Sequence, residues 1–167
     1  MSSSEESRLP STPAIDWPIP LIRQRGRQIL RVAIVSDEWY GFHTHFHDGR
    51  TQACVGANEC LLCEANCPLR WCGTVIVIES GHRGYSLFPF TQAVLPVLRS
   101  AGMQYGTLVG VIAEFGRRTG DVRTQMTCAI RSKREWQGKV YTTASVKRHT
   151  DRIFGPKGYG CRNEVKK

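Results

Sequence analysis

The sequence contains no long apolar run. Its apolar stretches are short, as at 75–78, whereas a membrane-spanning helix needs about 18 apolar residues or more. The N-terminal residues MSSSEES are polar and acidic, without the basic start and apolar middle of a secretory signal. We therefore expect neither an integral membrane protein nor a secreted one. We predict a cytoplasmic location, on the nucleoid if the source is a bacterium or a phage.

The common catalytic motifs are also missing. There is neither a phosphate-binding glycine loop nor a Gly-x-Ser-x-Gly turn, and no His-x-Glu pair such as zinc deaminases use. The run HTHFHD, with His43, His45, His47 and Asp48, is similar to metal-binding runs of hydrolases, but its order of ligands differs from theirs. We predict that the protein is not an enzyme. A small metal-dependent nuclease or hydrolase that uses His43 and His45 is an alternative.

Acidic residues are scarce in the last third of the chain. The 167 residues include 23 Lys or Arg and 14 Asp or Glu, a formal net charge of +9. From Arg117 to Lys167 there are fourteen basic and four acidic residues, a net of +10, whereas residues 1–116 carry −1. A charge excess confined to one part of a chain indicates a polyanionic partner, most often nucleic acid.

The distribution of apolar and turn residues divides the chain into three parts. Residues 1–21 hold four prolines and many polar side chains, and we expect them to be a disordered leader. Residues 22–134 should form the folded domain, with an irregular insertion at 37–71. Residues 135–167 should form a basic C-terminal extension without regular structure.

Within the domain, the sequence predicts a mainly β fold. Strands are predicted at 27–36, 72–79, 85–88, 107–115 and 122–130. One helix is predicted at 91–100, stopped by Gly102, and Pro96 requires it to be short, kinked or late in starting. Five strands with a helix between the third and fourth give the element order of the OB-fold, a partly open barrel that binds oligonucleotides. We predict such a barrel, with an α+β sheet carrying a zinc ribbon as the alternative.

Four cysteines fall within the segment CVGANECLLCEANC, and in a chain without an export signal we expect them to be reduced. Cys60 and Cys63, two residues apart, can place two thiolates on one metal ion, and Cys54 can fold back to the same ion. The histidines nearby favour a structural Zn²⁺ over an iron–sulfur cluster. The candidates for the fourth ligand are Cys67, His45 and His47.

Aromatic and cationic residues are interspersed along the chain. Single-stranded nucleic acid is bound by cations that neutralise phosphates and by exposed rings on which bases stack. No zinc-finger histidine pair or other feature indicates reading of a duplex major groove. The residues predicted to contact nucleic acid are Trp39, Tyr40, Arg70, Trp71, Arg83, Tyr85, Arg117, Arg118, Arg123, Arg131, Lys133 and Arg134.

A histidine followed by Cys54, Cys60 and Cys63, between the first two strands of a predicted OB-fold, resembles the zinc-containing single-stranded DNA-binding proteins of T-even-type phages. The resemblance covers residues 30–131. In that family one histidine and three cysteines bind zinc in a subdomain beside the binding cleft. The resemblance implies that His45 is the fourth zinc ligand and that the remaining cysteine of the cluster is a spare thiol.

We therefore expect a non-catalytic protein that binds single-stranded nucleic acid, DNA before RNA, with little sequence preference and with a structural zinc. Its further partners would be components of replication, repair or ribonucleoprotein complexes, and no membrane. The alternative from another class is a zinc-ribbon adaptor that docks on a protein or ribonucleoprotein complex through its basic extension.

Overall fold

The computed structural model describes residues 18–119 and 125–155 of the chain. Three parts of the predictions lie outside these ranges, namely the first 17 residues of the leader, residues 122–124 of the last predicted strand with Arg123, and residues 156–167 of the basic extension. The strands are β1 (Leu30–Ile34), β2 (Tyr40–His47), β3 (Arg50–Ala53), β4 (Leu69–Glu79), β5 (Tyr85–Thr91), β6 (Val111–Arg117) and β7 (Met126–Lys133). The α-helices are α1 (Leu61–Glu64), α2 (Leu95–Tyr105) and α3 (Thr143–Phe154).

The seven strands form one antiparallel sheet in the order β3-β2-β4-β1-β6-β7, with β5 on the other edge of β4. Strand β4 organises the sheet because it is eleven residues long. Along one edge it pairs first with β2, over 69–74, and then with β1, over 77–79. Along the other edge it pairs with β5 over 72–78. The β2–β3 hairpin therefore continues the sheet along β4 past the end of β1.

Among the described residues the sheet is open. Closing the strands β5, β4, β1, β6 and β7 into a barrel would require β5 to pair with β7, and no such pairing occurs within 18–119 and 125–155. The outer edge of β5 has a different partner. Leu87 N–H donates to Pro20 O at 2.8 Å, and Ile22 N–H donates to Leu87 O at 3.0 Å. The prediction of a mainly β chain is confirmed, in the form of an open antiparallel sheet.

Both faces of the sheet are covered, and each face has its own apolar core. Along β4, Val75 and Val77 belong to the core that includes α2, while Ile76 belongs to the core that includes α3. All three side chains are 0 % exposed. Successive side chains of a strand point to opposite faces, so a strand that is covered on both faces has an unbroken apolar run.

Helix α2 begins later and ends later than the sequence predicts. A 3₁₀ turn, Gln92–Val94, precedes it, so Pro96 falls in its first turn, where the missing N–H is tolerated. The predicted stop at Gly102 is wrong, because the helix continues to Tyr105 and ends at Gly106, whose φ is +74°. No helix among the described residues is long and apolar enough to cross a membrane.

Two predictions of irregular structure are wrong. The segment 37–71 contains β2, β3, α1 and the beginning of β4, and the extension after residue 134 contains α3. Thr142 caps α3, since its side-chain oxygen accepts a hydrogen bond from the backbone N–H three residues later at 3.3 Å. The buried face of α3 includes Val146, Thr150 and Phe154, and Thr150 Oγ1 lies 2.7 Å from a threonine hydroxyl of β4. Because threonine is polar, a threonine among the buried positions of α3 interrupts the 3.6-residue apolar periodicity that would predict a helix from the sequence.

Candidate metal centre and nucleic-acid groove

Strand β2 carries His45, a histidine of the HTHFHD run whose side chain is fully buried. Its neighbours His43 and His47 are exposed. His45 lies opposite Gln52 of β3 on one side and opposite Leu69 of β4 on the other. The backbone at His45 is therefore held by hydrogen-bonded strands on both sides.

The connection between β3 and β4 brings three cysteines back to His45. Cys54 follows β3 directly, and its N–H donates to His43 O at 2.8 Å. A turn then brings Cys60 N–H to Gly56 O at 2.9 Å, and Gly56 has φ +114°, a conformation open to glycine. Cys63 follows within the short helix α1.

These four side chains, which we call the metal centre, converge so that one donor atom of each lies within 4.8 Å of the others. His45 Nε2 lies 3.3 Å from Cys63 Sγ and 3.5 Å from Cys60 Sγ. Cys54 Sγ lies 3.5 Å from Cys63 Sγ. Zinc with Zn–S bonds of about 2.3 Å separates tetrahedral donors by about 3.5–3.8 Å. The three separations lie within about 0.2 Å of this range, and three thiols with one imidazole are the donors of a Cys₃His zinc site.

The other ring nitrogen of His45 is fixed by the backbone. Nδ1 lies 3.0 Å from Cys67 O and 3.2 Å from Pro68 O. Carbonyl oxygens only accept hydrogen bonds, so Nδ1 carries the proton and Nε2 presents its lone pair to the three sulfur atoms. Metal-binding histidines are commonly oriented in this way by a carbonyl or carboxylate.

The thiols of the metal centre affect one another's ionisation. Burial raises the pKa of Cys60, but hydrogen bonds from the backbone at Cys63, Leu62 and Val55 outweigh it and lower that pKa to about 6. The pKa of Cys63 rises to about 12, because of its hydrogen bond with Cys54, its burial and the proximity of the other two thiols. Thiolates this close repel one another, and a divalent cation among them would remove the repulsion.

Cys67, the rival fourth ligand, is not a member of this group. Its Sγ donates to Phe46 O at 3.5 Å, and its backbone oxygen is one of the two that accept from His45. Three cysteines and one histidine are a usual zinc set, whereas the common iron–sulfur clusters take four cysteines. The residues of the metal centre therefore suit zinc better than an iron–sulfur cluster.

Trp71 lies on β4 close to the metal centre, and its ring occupies space next to Gly41 and Gly73 that side chains at those positions would fill. A Cβ atom at Gly41 would lie 2.8 Å from the Trp71 ring, and one at Gly73 would lie 2.7 Å from it and overlap Phe90 as well. The Trp71 and Phe90 rings meet edge to face, with centroids 5.7 Å apart. The indole is therefore held on the sheet while part of it stays accessible.

A groove of about 450 Å³, which we call the Trp71 groove, opens beside this ring. Three arginines line it, and none of its described lining residues is acidic. Phe46, at its edge, is 50 % exposed. The lining residues are Arg23, Gln24, Thr44, Phe46, Thr51, Arg70, Trp71, Cys72, Pro89, Phe90, Thr91, Arg117, Met126 and Phe154.

Three of the predicted contact residues meet in this groove, Arg70, Trp71 and Arg117, and the other predicted cations lie elsewhere. Arg131 Nε donates to a carboxylate oxygen of Glu114 at 2.7 Å. Lys133 Nζ donates to a backbone oxygen of α2 at 3.3 Å. The remaining described cations of the prediction are exposed outside the strands, Arg83, Arg118 and Arg134.

The predicted aromatic contacts divide in the same way. Trp39 packs against the core that includes α2, and Tyr85 meets Tyr141 edge to face at 5.2 Å. These two rings therefore have packing partners. Tyr40 lines a second groove, against α3.

Among the lining residues that the sequence does not predict are one arginine, Arg23, and one exposed aromatic ring, Phe46. Phe46 had a signal, because Tyr40, Phe42 and Phe46 alternate with other residues in the two-residue period of a strand. Arg23 lies in an irregular segment before β1, and nothing in its sequence neighbourhood distinguishes it from the other arginines there.

Comparison with known proteins gives no family assignment. No protein-family model matches the chain, and neither a curated protein nor a solved structure matches it. Its function is therefore inferred from the geometry of the metal centre and the grooves.

Proposed function

We propose that this protein binds single-stranded nucleic acid in the Trp71 groove, without catalysing a reaction, and that a structural zinc in the metal centre shapes one wall of the groove. The observation that carries the proposal is the combination of Arg23, Arg70 and Arg117 with the accessible rings of Trp71 and Phe46. Guanidinium groups pair with phosphates, and aromatic faces stack on bases whatever their sequence.

The strand connections support this location. The pairings β5-β4-β1-β6-β7, with α2 between β5 and β6, are those of an OB-like sheet in which β4 and β5 take the places of the second and third strands. OB-folds bind oligonucleotides on the face formed by their second and third strands, between the loop after the first strand and the loop before the last. Here the β2–β3 hairpin and the metal centre lie in the first of those connections, and Arg117 and Met126 lie at the two ends of the second.

Zinc in this proposal is structural. Four protein donors complete a tetrahedron and leave no position for water or substrate, as in zinc sites that stabilise folds. The ion would tie the β3–β4 connection to β2, the strand that brings Thr44 and Phe46 to the groove. Thiolate ligands require a reducing compartment, which agrees with a cytoplasmic site of action.

The residues that line the Trp71 groove predict low specificity for nucleotide sequence. The groove offers phosphate-binding arginines and stacking rings, and such contacts do not distinguish one base from another. We propose single-stranded DNA as the first ligand to test, RNA as the second, and replication or repair complexes as the setting. The resemblance of the spacing of His45, Cys54, Cys60 and Cys63 to that of the phage single-stranded DNA-binding proteins is a further reason to test DNA first.

Fluorescence anisotropy with a labelled oligothymidylate, the matching RNA and a duplex of the same length tests the proposal. The protein should bind the single strands more tightly than the duplex. R70A/R117A should weaken binding and reduce the slope of log K against log salt by about 1.4, since each phosphate contact contributes about 0.7 on single strands.

The matched control is R27A/R99A, which removes two exposed arginines outside the groove and should leave that slope unchanged. Tighter binding of the duplex than of the single strands, or equal slopes for the groove variant and the wild type, would contradict the proposal.

A further inference from the structure

A second groove lies between α3 and the β2–β3 hairpin, on the face of the sheet opposite α2. We call it the α3 groove. Its volume is about 970 Å³ and its walls are mostly apolar. Among its lining residues are Tyr40 and Phe42 from β2, and Lys147, Arg148, Asp151 and Arg152 from α3.

The α3 groove adjoins the Trp71 groove. Along β2, Tyr40 and Phe42 line the α3 groove, and Thr44 and Phe46, next on the same side of the strand, line the Trp71 groove. Strand β3 is divided in the same way, because Ala53 lines the α3 groove and Thr51 lines the Trp71 groove. From residue 40 to residue 46 a strand extends about 20 Å, so the two grooves form one path along the hairpin.

The chemistry of the α3 groove repeats that of the Trp71 groove. Three cations and one carboxylate line it, and Lys147 Nζ donates to Asp151 Oδ2 at 2.5 Å, so the α3 residues carry a net charge of +2. Tyr40 supplies a half-buried ring that stacks on Phe42 at 5.7 Å, with Lys147 Nζ 5.7 Å from the Tyr40 centroid. Arg148 and Arg152, four residues apart, lie on the same side of the helix.

We propose that the α3 groove is a second subsite for the same single strand, which leaves the Trp71 groove along β2 and places further phosphates at Arg148 and Arg152 and a base at Tyr40. This inference rests on the proposed function and extends it: the bound strand is longer than the Trp71 groove alone would hold. OB-type sites span about 4–16 nucleotides, and the combined path belongs in the upper part of that range.

Binding as a function of oligonucleotide length tests the extension. Wild-type protein should bind an oligothymidylate of about 12 nucleotides more tightly than one of about 5, because only the longer strand reaches both grooves. R148A/R152A should bind the short strand like the wild type and lose most of the gain from lengthening. On the longer strand its salt slope should fall by about 1.4.

Tyr40 gives an independent readout. Y40A should weaken binding of the longer strand by about 5-fold to 100-fold, and Y40F, which keeps the ring, should restore it. The control R27A/R99A should keep the full gain with length.

The possible results separate the two proposals. If the wild type binds neither oligonucleotide, the proposed function fails and the extension fails with it. If the wild type binds both and R148A/R152A retains the full gain with length, the extension alone is overturned. The α3 groove then has a different occupant, such as an acidic peptide.

Discussion

Gly73 determines where the Trp71 ring can lie, because the ring occupies the space that a side chain at this position would need. The same position faces the Phe90 ring, and Phe90 also lines the Trp71 groove. A single missing methyl group on β4 therefore shapes both a core contact and the proposed binding surface. Of the two glycines beside the indole, Gly73 is buried and Gly41 is exposed.

We expect Gly73→Ala to lower the free energy of unfolding by about 1–3 kcal/mol, as overpacking of a filled interior does. It should also weaken oligonucleotide binding, because the Trp71 ring must move. Urea denaturation and anisotropy measure the two effects. The control is Gly102→Ala in α2, where the nearest atom to a new Cβ is 3.9 Å away. This control should raise stability by about 0.5–1 kcal/mol, since alanine favours a helix over glycine. Equal stability changes for the two variants would contradict this view of Gly73.

The ligand set is tested by a pair of cysteine variants. Cys63→Ser should abolish stoichiometric zinc, because it removes one of four donors, whereas Cys67→Ser should retain one zinc per chain. His45→Ala should behave like Cys63→Ser. Metal analysis of the purified proteins by mass spectrometry gives the stoichiometry. Loss of zinc from Cys67→Ser with retention in His45→Ala would show that Cys67 is the ligand instead.

At the scale of elements, the β2–β3 hairpin depends on the metal centre at one end and on the sheet at the other. β2 has strand partners on both sides, but among the described residues β3 pairs with β2 alone and is an edge strand. Residues 54–68 contain no element longer than the four residues of α1. An isolated helix of that length is not stable in water, so we expect a metal ion bound at the metal centre to order this segment.

Removal of the metal should therefore loosen the hairpin before the core. After treatment with a chelator, amide hydrogen exchange should increase over 50–68, while β1 and β6 keep their protection. These two strands belong to the core that includes α2 and contain none of the four residues of the metal centre. Exchange measured by mass spectrometry with and without chelator makes the comparison. Uniform loss of protection across the whole chain would show that the ion supports the entire fold, and unchanged protection over 50–68 would show that it supports none of it.

Sequence patterns predicted some elements and missed others for identifiable reasons. Burial gives a clear apolar pattern to the sequences of β4, β5, β6 and α2. These elements lie close to their predicted positions. Sequence patterns do not predict strand β2. Its aromatic residues lie on one face, and the opposite face carries glycine and three histidines, residues that do not suggest a strand. Helix α3 was missed because buried His149 and Thr150 interrupt its apolar face. The pairing of β5 with Pro20–Ile22 is a long-range contact that no local pattern encodes.

At the scale of the whole molecule, charge in the sequence and charge in the fold differ in position. The sequence excess of +10 lies in residues 117–167, yet Arg23 and Arg70 of the Trp71 groove come from the nearly neutral first 116 residues. Folding brings three arginines from distant segments of the chain into one groove. Cysteine spacing identified the metal centre because its ligands are mostly close in sequence, whereas the groove is assembled by the topology of the sheet.

The most direct test of the account is to locate bound nucleic acid on the protein. The zinc-loaded full chain is cross-linked by ultraviolet light to a single-stranded oligothymidylate, and the modified residues are mapped by mass spectrometry. We expect cross-links at Trp71 and Phe46, and fewer of them in R70A/R117A. Cross-links confined to residues outside both grooves, or none at all under conditions where binding is saturated, would contradict it.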